Sequence, residues 1–317
     1  MNNNIFQDHP FNITTIDTGF IRPHFAASHL LIEDHHGIYI DVGSNFSMPR
    51  LLAALQEKNI PRTHIDYIIV THVHLDHAGG AGQLMQALPN AQLVVHPRGA
   101  RHLIEPQKLI AGATAVYGEA QFKAHYGDIV PIPAHRVIEA ADEYVLDFRG
   151  RPLLFLDTPG HARHHLCIFD ERSHSFFTGD TFGLAYPELN TEQGAFIFAT
   201  TTPVQFEPLA LHHSIDRLLS YQPQNMYLTH YGAVTDVPQL AAKLHESIDE
   251  HVLLMEAVAD QPPAHRHEML FDSLMTQLLE KLRQHGCNLP TESCRQLLTT
   301  DVELNTQGLH HWWEHNL

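Results

Sequence analysis

Between positions 71 and 80 the chain reads Thr71-His72-Val73-His74-Leu75-Asp76-His77-Ala78-Gly79-Gly80. Three imidazoles and a carboxylate within six residues form an N/O donor set that suits zinc, iron or manganese. His72 and His74 are two residues apart, so they project together only where the backbone bends. One cation could take His72 and His74, and a second, a few ångströms away, Asp76 and His77. The two glycines let the backbone pass close to such a site. The bland alternative is a polar loop in a chain that holds 28 histidines. The density and order of HxHxDH argue against it, whereas the scattered pairs at 35–36, 212–213 and 310–311 carry no such signal.

These residues need a scaffold that ends at one point. Ile65 to Val70 is a short run rich in β-branched residues and reads as a buried strand. Residues 81–88 read as a helix, so the donors sit where a strand ends and a helix begins, the usual place for ligands in open α/β folds. Upstream, 1–12 reads as a weakly ordered lead-in. Residues 13–21, 28–33 and 37–42 read as strands, and 48–58 as a helix with Pro49 near its start. Downstream come a strand at 92–96, a mostly helical 98–126, and a strand meander at 143–148, 152–157, 166–170 and 175–178. An irregular 181–202, a helix at 208–220 and a last strand at 226–229 follow. Beyond 233 the texture is helical, at 237–259, 265–285, 290–298 and 301–313. Apolar stripes run at Leu240, Leu244, Ile248 and Met255, and at Met269, Leu270, Leu274, Leu278 and Leu282.

His72-Val73-His74-Leu75-Asp76-His77 resembles the HxHxDH signature of the metallo-β-lactamase-fold hydrolases. Three further motifs stand in that superfamily's order: Thr158-Pro159-Gly160-His161, Phe177-Thr178-Gly179-Asp180 and Leu228-Thr229-His230-Tyr231-Gly232. Asp41 matches the aspartate that ends an early strand. The resemblance implies a four-layer αββα sandwich with a dinuclear metal centre. By position, His72, His74 and His161 would hold one metal, Asp76, His77 and His230 the other, and Asp180 would bridge them. Asp76 could also orient the attacking hydroxide, and Thr71, Thr158 and Thr229 could support the ligands from behind. The implied cofactors are two divalent ions, zinc first, with iron or manganese as alternatives.

The implied activity is cleavage of a thioester or ester of a small metabolite by a metal-bridging hydroxide, as in glyoxalase II-like and quorum-signal-response thioesterases. A lactonase or phosphodiesterase on the same core is the alternative, as is a regulatory binding protein with a vestigial site. The C-terminal part has no cluster of Lys and Arg, so glutathione is not the expected acyl carrier. Flavodiiron oxidoreductases place Glu before the aspartate, where this chain has Leu75. The gap from Asp180 to His230 is too short for the inserted domain of the nucleic-acid-processing branch. Class B β-lactamases usually carry a signal peptide, and the N-terminal residues here do not read as one.

Composition bounds the partners. The net charge is −17, from 19 basic and 36 acidic side chains, which opposes both a nucleic-acid partner and an anionic membrane. Three scattered cysteines suggest no disulfide framework and a cytoplasmic setting. Residues 1–235 are expected to form the catalytic domain, and 236–317 a helical subdomain covering the cleft. Trp312 and Trp313 are adjacent and cannot share one helix side, so one could cap a pocket or reach a second copy in a homodimer.

Overall fold

In the computed structural model, residues 5–201 and 204–315 are described. The chain divides into two compact units: 1–157, 164–179 and 223–235 form the first, and 158–163, 180–222 and 236–317 the second.

The first unit opens with β1 (Phe6–His9), β2 (Ile13–Asp17), β3 (Ala27–Glu33), β4 (His36–Ile40), α1 (Met48–Glu57) and β5 (Ile65–Ile69). It continues through α2 (Leu75–Ala78), α3 (Ala81–Ala87), β6 (Gln92–Val95), α4 (Pro97–Ile104), α5 (Gln107–Tyr117), α6 (Glu119–Tyr126) and β7 (Val137–Glu139). These seven strands make one sheet in chain order, antiparallel from β1 to β4 and parallel from β4 to β7. The second sheet takes β8 (Val145–Phe148), β9 (Arg151–Asp157), β10 (Leu166–Asp170), β11 (Ser175–Gly179), β12 (Asn225–Leu228) and β13 (Gly232–Val234), in the order β13-β12-β11-β10-β9-β8.

Strand periodicity assigns the faces of the first sheet. Leu31, Ile38, Ile40, Ile69 and Val94 pack with Leu153, Phe155, Ile168 and Phe177 of the second sheet. Their strand neighbours Leu30, Tyr39, Ile68, Leu93 and Val95 pack on the other side with Leu51, Leu55, Leu84 and Leu103 of the helices. Alternation by two places both sets without loss of burial. Each such side chain contributes roughly 1.5–3 kcal/mol when fully buried. The parallel strands are thus covered on both faces, which is why 65–70 reads as a continuous apolar run.

The second unit holds α7 (Pro208–Ser220), α8 (Val237–Val258), α9 (Pro263–Gln284) and α10 (Thr291–His315). Leu240, Leu244, Ile248 and Met255 are buried on α8, and Leu270, Leu274, Leu278 and Leu282 on α9. Met269 leaves the stripe and is 42% exposed. The irregular segment after Asp180 has buried backbone that must find partners outside regular ladders. Ser247 accepts from the Ala199 amide, while Asn305 accepts from the Thr201 amide and donates to the Ala199 carbonyl. Tyr186 donates to Asp301 at 2.9 Å.

Two expectations change, and two short strands appear that the sequence did not suggest. Residues 6–9 are not a loose lead-in but an edge strand paired with β2, for which a polar FQDH gives no periodic signal. β7 and β13 have three residues each, too short to show a pattern. The helices expected at 290–298 and 301–313 are one helix, α10. Thr299 and Thr300 read as a break, but the Thr299 hydroxyl donates back to the Arg295 carbonyl at 2.7 Å and the helix runs on. Among the described residues no helix is long and apolar enough to cross a membrane.

Candidate metal centre

Within the first unit, the ends of β4, β5 and β12 deliver Asp41, the 71–77 loop and the Thr229-His230 pair to one place. Asp41 is the hub, wholly buried in the left-handed region at φ 50°. Its carboxylate accepts from the Thr71 amide at 2.8 Å, the Thr71 hydroxyl at 2.9 Å, the Thr229 hydroxyl at 2.6 Å and Nδ1 of His77 at 2.8 Å. The Val42 amide closes the loop onto the His77 carbonyl at 2.8 Å.

These bonds fix the imidazole tautomers. His77 gives its Nδ1 hydrogen to Asp41, and His230 gives its own to the Phe25 carbonyl at 2.8 Å. In the neutral ring, each Nε2 is left with its lone pair. Both turn toward Asp76 Oδ2, at 3.7 Å from His77 and 3.2 Å from His230. Ligand atoms of Asp76, His77 and His230 all lie within 4.8 Å of one another. Two lone pairs and a carboxylate oxygen converging in one space is the donor chemistry of a cation site. His72 follows the same logic. The Thr71 hydroxyl is committed to Asp41, so His72 Nδ1 donates to Thr71 Oγ1 at 3.1 Å and Nε2 keeps its lone pair. The His74 ring stands edge-on to His72, 4.4 Å between centroids.

The second unit carries the other expected donors. His161 Nε2 and Asp180 Oδ2 lie 3.3 Å apart, both side chains buried. The loop bearing His161 rests on α7. The Ser214 hydroxyl donates to the Pro159 carbonyl at 2.6 Å, and the Glu207 amide to the Gly160 carbonyl at 2.8 Å. Gly160 has φ 127°, and a Cβ there would meet Leu211 backbone at 2.4 Å. Only glycine permits that approach. Gly179, in the first unit, is as constrained. Its φ is 48°, and a Cβ would stand 2.6 Å from both His165 Nε2 and Thr71 Oγ1.

His164 and His165, which follow His161 closely in sequence, both stand among the motif imidazoles of the first unit. His165 stacks on His72 at 4.9 Å and is wholly buried. His164 lies 5.9 Å from His74 and 6.2 Å from His102. Burial first, then the neighbouring His74, His102 and His96, lower its pKa to about 3, so it is a neutral imidazole. His96 and Asp157, which no motif flagged, pair at 3.3 Å.

A family model described as the metallo-beta-lactamase superfamily matches residues 21–283. The chain belongs to that superfamily. Its two mixed sheets with flanking helices are the α/β sandwich of this fold, extended by C-terminal helices. The chain is similar to the metallo-beta-lactamase fold-containing protein ST1585 of Sulfurisphaera tokodaii, 28% identical over 54% of this chain and 62% of that one. The crystal structure of ST1585 superposes with a TM-score of 0.66, covering 94% of this chain and 98% of the other. Several relatives are named as hydrolytic enzymes, and two of them serve as examples. One is an atrochrysone carboxyl ACP thioesterase of Aspergillus fumigatus, 28% identical over 42% of this chain and 31% of that one. The other is a hydroxyacylglutathione hydrolase of Pelagibacter ubique, 25% identical over 49% of this chain and 50% of that one. The chain thus spans less than two thirds of the length of these curated relatives in sequence. Hydrolase names thus recur among the superfamily relatives to which the chain is similar.

Proposed function

We propose that the protein is a dinuclear metal-dependent hydrolase acting on a thioester or ester of a small metabolite. The observation that carries this reading is the convergence of the His77 and His230 Nε2 lone pairs on Asp76, with the tautomers set by Asp41 and Phe25. Superfamily membership supports the rest of the donor set. His72, His74 and His161 would hold one ion and Asp76, His77 and His230 the other, with Asp180 shared. Zinc suits this N/O set, and iron or manganese are accepted by the same atoms. When bound, such a pair polarises an electrophile and makes a water nucleophilic near neutral pH.

The side chains then have separable tasks. Asp76 is 21% exposed, so one carboxylate oxygen can meet the His77 and His230 nitrogens while the group still faces solvent. That suits it to orient a water and hold its proton. Asp41, Thr71 and Thr229 touch no substrate and act by positioning His72, His77 and the strand end before His230. The thioesterase and hydroxyacylglutathione hydrolase names among the relatives support an acyl substrate.

The test is elemental analysis of protein purified without chelator, joined to turnover of a panel of thioesters, esters, lactones and phosphodiesters. Two ions per chain and selective acyl cleavage are expected. Stoichiometry near zero after reconstitution would sink the metal reading. Metal without turnover of any substrate would leave a binding protein instead, and preference for lactones or phosphodiesters would reassign the substrate.

A further inference from the structure

Outside the metal motifs, the second unit brings together two thiols whose sequence spacing gave no hint of it. Cys287 follows the end of α9, and Cys294 lies in the first turn of α10. Their sulfurs are 4.0 Å apart. The backbone is anchored on both sides of the turn, with the Cys287 amide on the Leu282 carbonyl and the Cys294 amide on the Pro290 carbonyl, each at 3.0 Å. The two backbone positions therefore cannot separate without breaking helix-terminal bonds. Cys294 is buried and Cys287 half-buried, so a small oxidant reaches Cys287 first.

We propose that Cys287 and Cys294 form a peroxide-sensitive oxidation site that closes to a reversible disulfide. A hydroperoxide gives one oxygen to the Cys287 thiol, yielding a sulfenic acid and, from hydrogen peroxide, one water. The Cys294 sulfur then attacks Cys287 sulfur. The S–S bond forms, the S–O bond breaks, and the hydroxyl leaves with the Cys294 proton as a second water. Two thiols are oxidised and one peroxide is reduced. The sulfurs must close from 4.0 Å to about 2.05 Å, a shift that side-chain rotation and a small movement of the 287–290 turn supply. Burial, then the neighbouring Cys287, push the Cys294 thiol up to about 11, so Cys294 is the poorer first nucleophile and the peroxide meets Cys287 first.

The site has reach beyond its own turn. The Thr191 hydroxyl donates to the His285 carbonyl at 2.8 Å, His285 Nε2 donates to the Gly194 carbonyl at 3.1 Å, and the Phe196 ring packs on His285 at 5.5 Å. The residues just before Cys287 therefore hold the 191–196 part of the segment that follows Asp180. Drawing Cys287 toward Cys294 pulls on those contacts.

One tryptic peptide, 284–295, contains both cysteines and excludes Cys167. Full-length protein treated with hydrogen peroxide, then unfolded and alkylated, should yield this peptide unalkylated and two hydrogens lighter. Dithiothreitol should restore two alkylation sites. Cys167, wholly buried with its thiol on the Thr178 carbonyl, should stay reactive only after unfolding. Cys287→Ser should abolish the light peptide while the protein keeps its far-UV spectrum. Amide exchange over 191–196 should change on oxidation in the parent and not in Cys287→Ser. An over-oxidised Cys287 beside a free Cys294, an intermolecular disulfide, or no reaction would overturn the site. A light peptide with unchanged exchange at 191–196 would overturn its link to that segment.

Discussion

Asp41 Oδ2 lies 2.8 Å from Nδ1 of His77, and both side chains are wholly buried. This contact decides which nitrogen of His77 faces the candidate centre. Replacing Asp41 by Asn keeps the size; with the amide oxygen at the Oδ1 position, where the Thr71 amide needs an acceptor, the NH2 group takes the Oδ2 position and sets an N–H donor against His77 Nδ1 and the Thr229 hydroxyl. The ring must then hold its hydrogen on Nε2, where it cannot ligate. Asp41→Asn is expected to lower metal affinity 10- to 100-fold, the usual cost of losing such a support. Competition against a chromophoric chelator measures it, and affinity equal to the parent's would show that Asp41 serves folding alone.

The proposed bridging role separates Asp180 from Asp76. Asp180→Ala is expected to abolish turnover and deplete both ions, because one carboxylate would touch both. Asp76→Ala should lose most activity while retaining part of the first ion. Elemental analysis beside rate measurement reads the difference, and wild-type metal and rate in Asp180→Ala would refute the bridge.

His251 lies inside α8 with neither ring nitrogen hydrogen-bonded among the described residues. Burial, with Lys281 as the lesser cause, lowers its pKa to about 4 from 6.5. The unfolded chain therefore binds a proton that the folded chain refuses. Stability is full above pH 6.5 and falls as the pH drops toward 4, by about 3 kcal/mol. His251→Leu should flatten that part of the profile by one proton and, near neutral pH, stabilise by on the order of 1–3 kcal/mol by removing unsatisfied polar atoms. Urea titrations at several pH values test it. His29, likewise lowered to about 4 by burial, should keep its own slope in the variant.

Arg151 is wholly buried at the start of β9. Its Nε donates to Asp170 Oδ1 at 2.9 Å, Nη2 to Oδ2 at 2.5 Å and Nη1 to the Phe11 carbonyl at 2.9 Å. Arg151→Met leaves a buried carboxylate with only the Ser173 donors and should cost roughly 3–5 kcal/mol. The double variant with Asp170→Leu should recover much of the loss. A single variant within 1 kcal/mol of the parent, in the same denaturant assay, would show the pair to be dispensable.

The C-terminal helices test the expectation that 236–317 covers the cleft and so sets substrate choice. Their apolar faces are too extensive to stand in water. Truncation after residue 235 is expected to give an insoluble protein or one with altered substrate ranking. Soluble truncated protein with the parent's metal content and ranking would confine the helices to assembly, which sedimentation of the full chain would then reveal as a dimer.

Motif resemblance put His161, Asp180 and His230 forward as candidates, whereas the sequence by itself determined the strand–loop–helix around residues 65–88, the apolar stripes at 240–255 and 270–282, and the four donors of 72–77. These are local: period two, period 3.6 and the spacing of donor residues lie within a few positions of one another. Edge strand β1 escaped because a polar strand owes its pairing to β2 and not to its own side chains. The Thr299-Thr300 break vanished because the packing of α10, with Leu298 and Val302 buried, outweighs a weak propensity. Asp41 was legible as a motif residue, but its role was not. Only the tertiary structure decided that one carboxylate gathers Thr71, His77 and Thr229 from 30, 36 and 188 positions away, and so selects the tautomer of His77. The same holds for Cys287 and Cys294, seven positions apart, where a helix end, a turn and a helix start set the sulfurs side by side. Hydrogen-bond direction and thiol proximity depend on where the chain returns, and residue spacing carries no record of that.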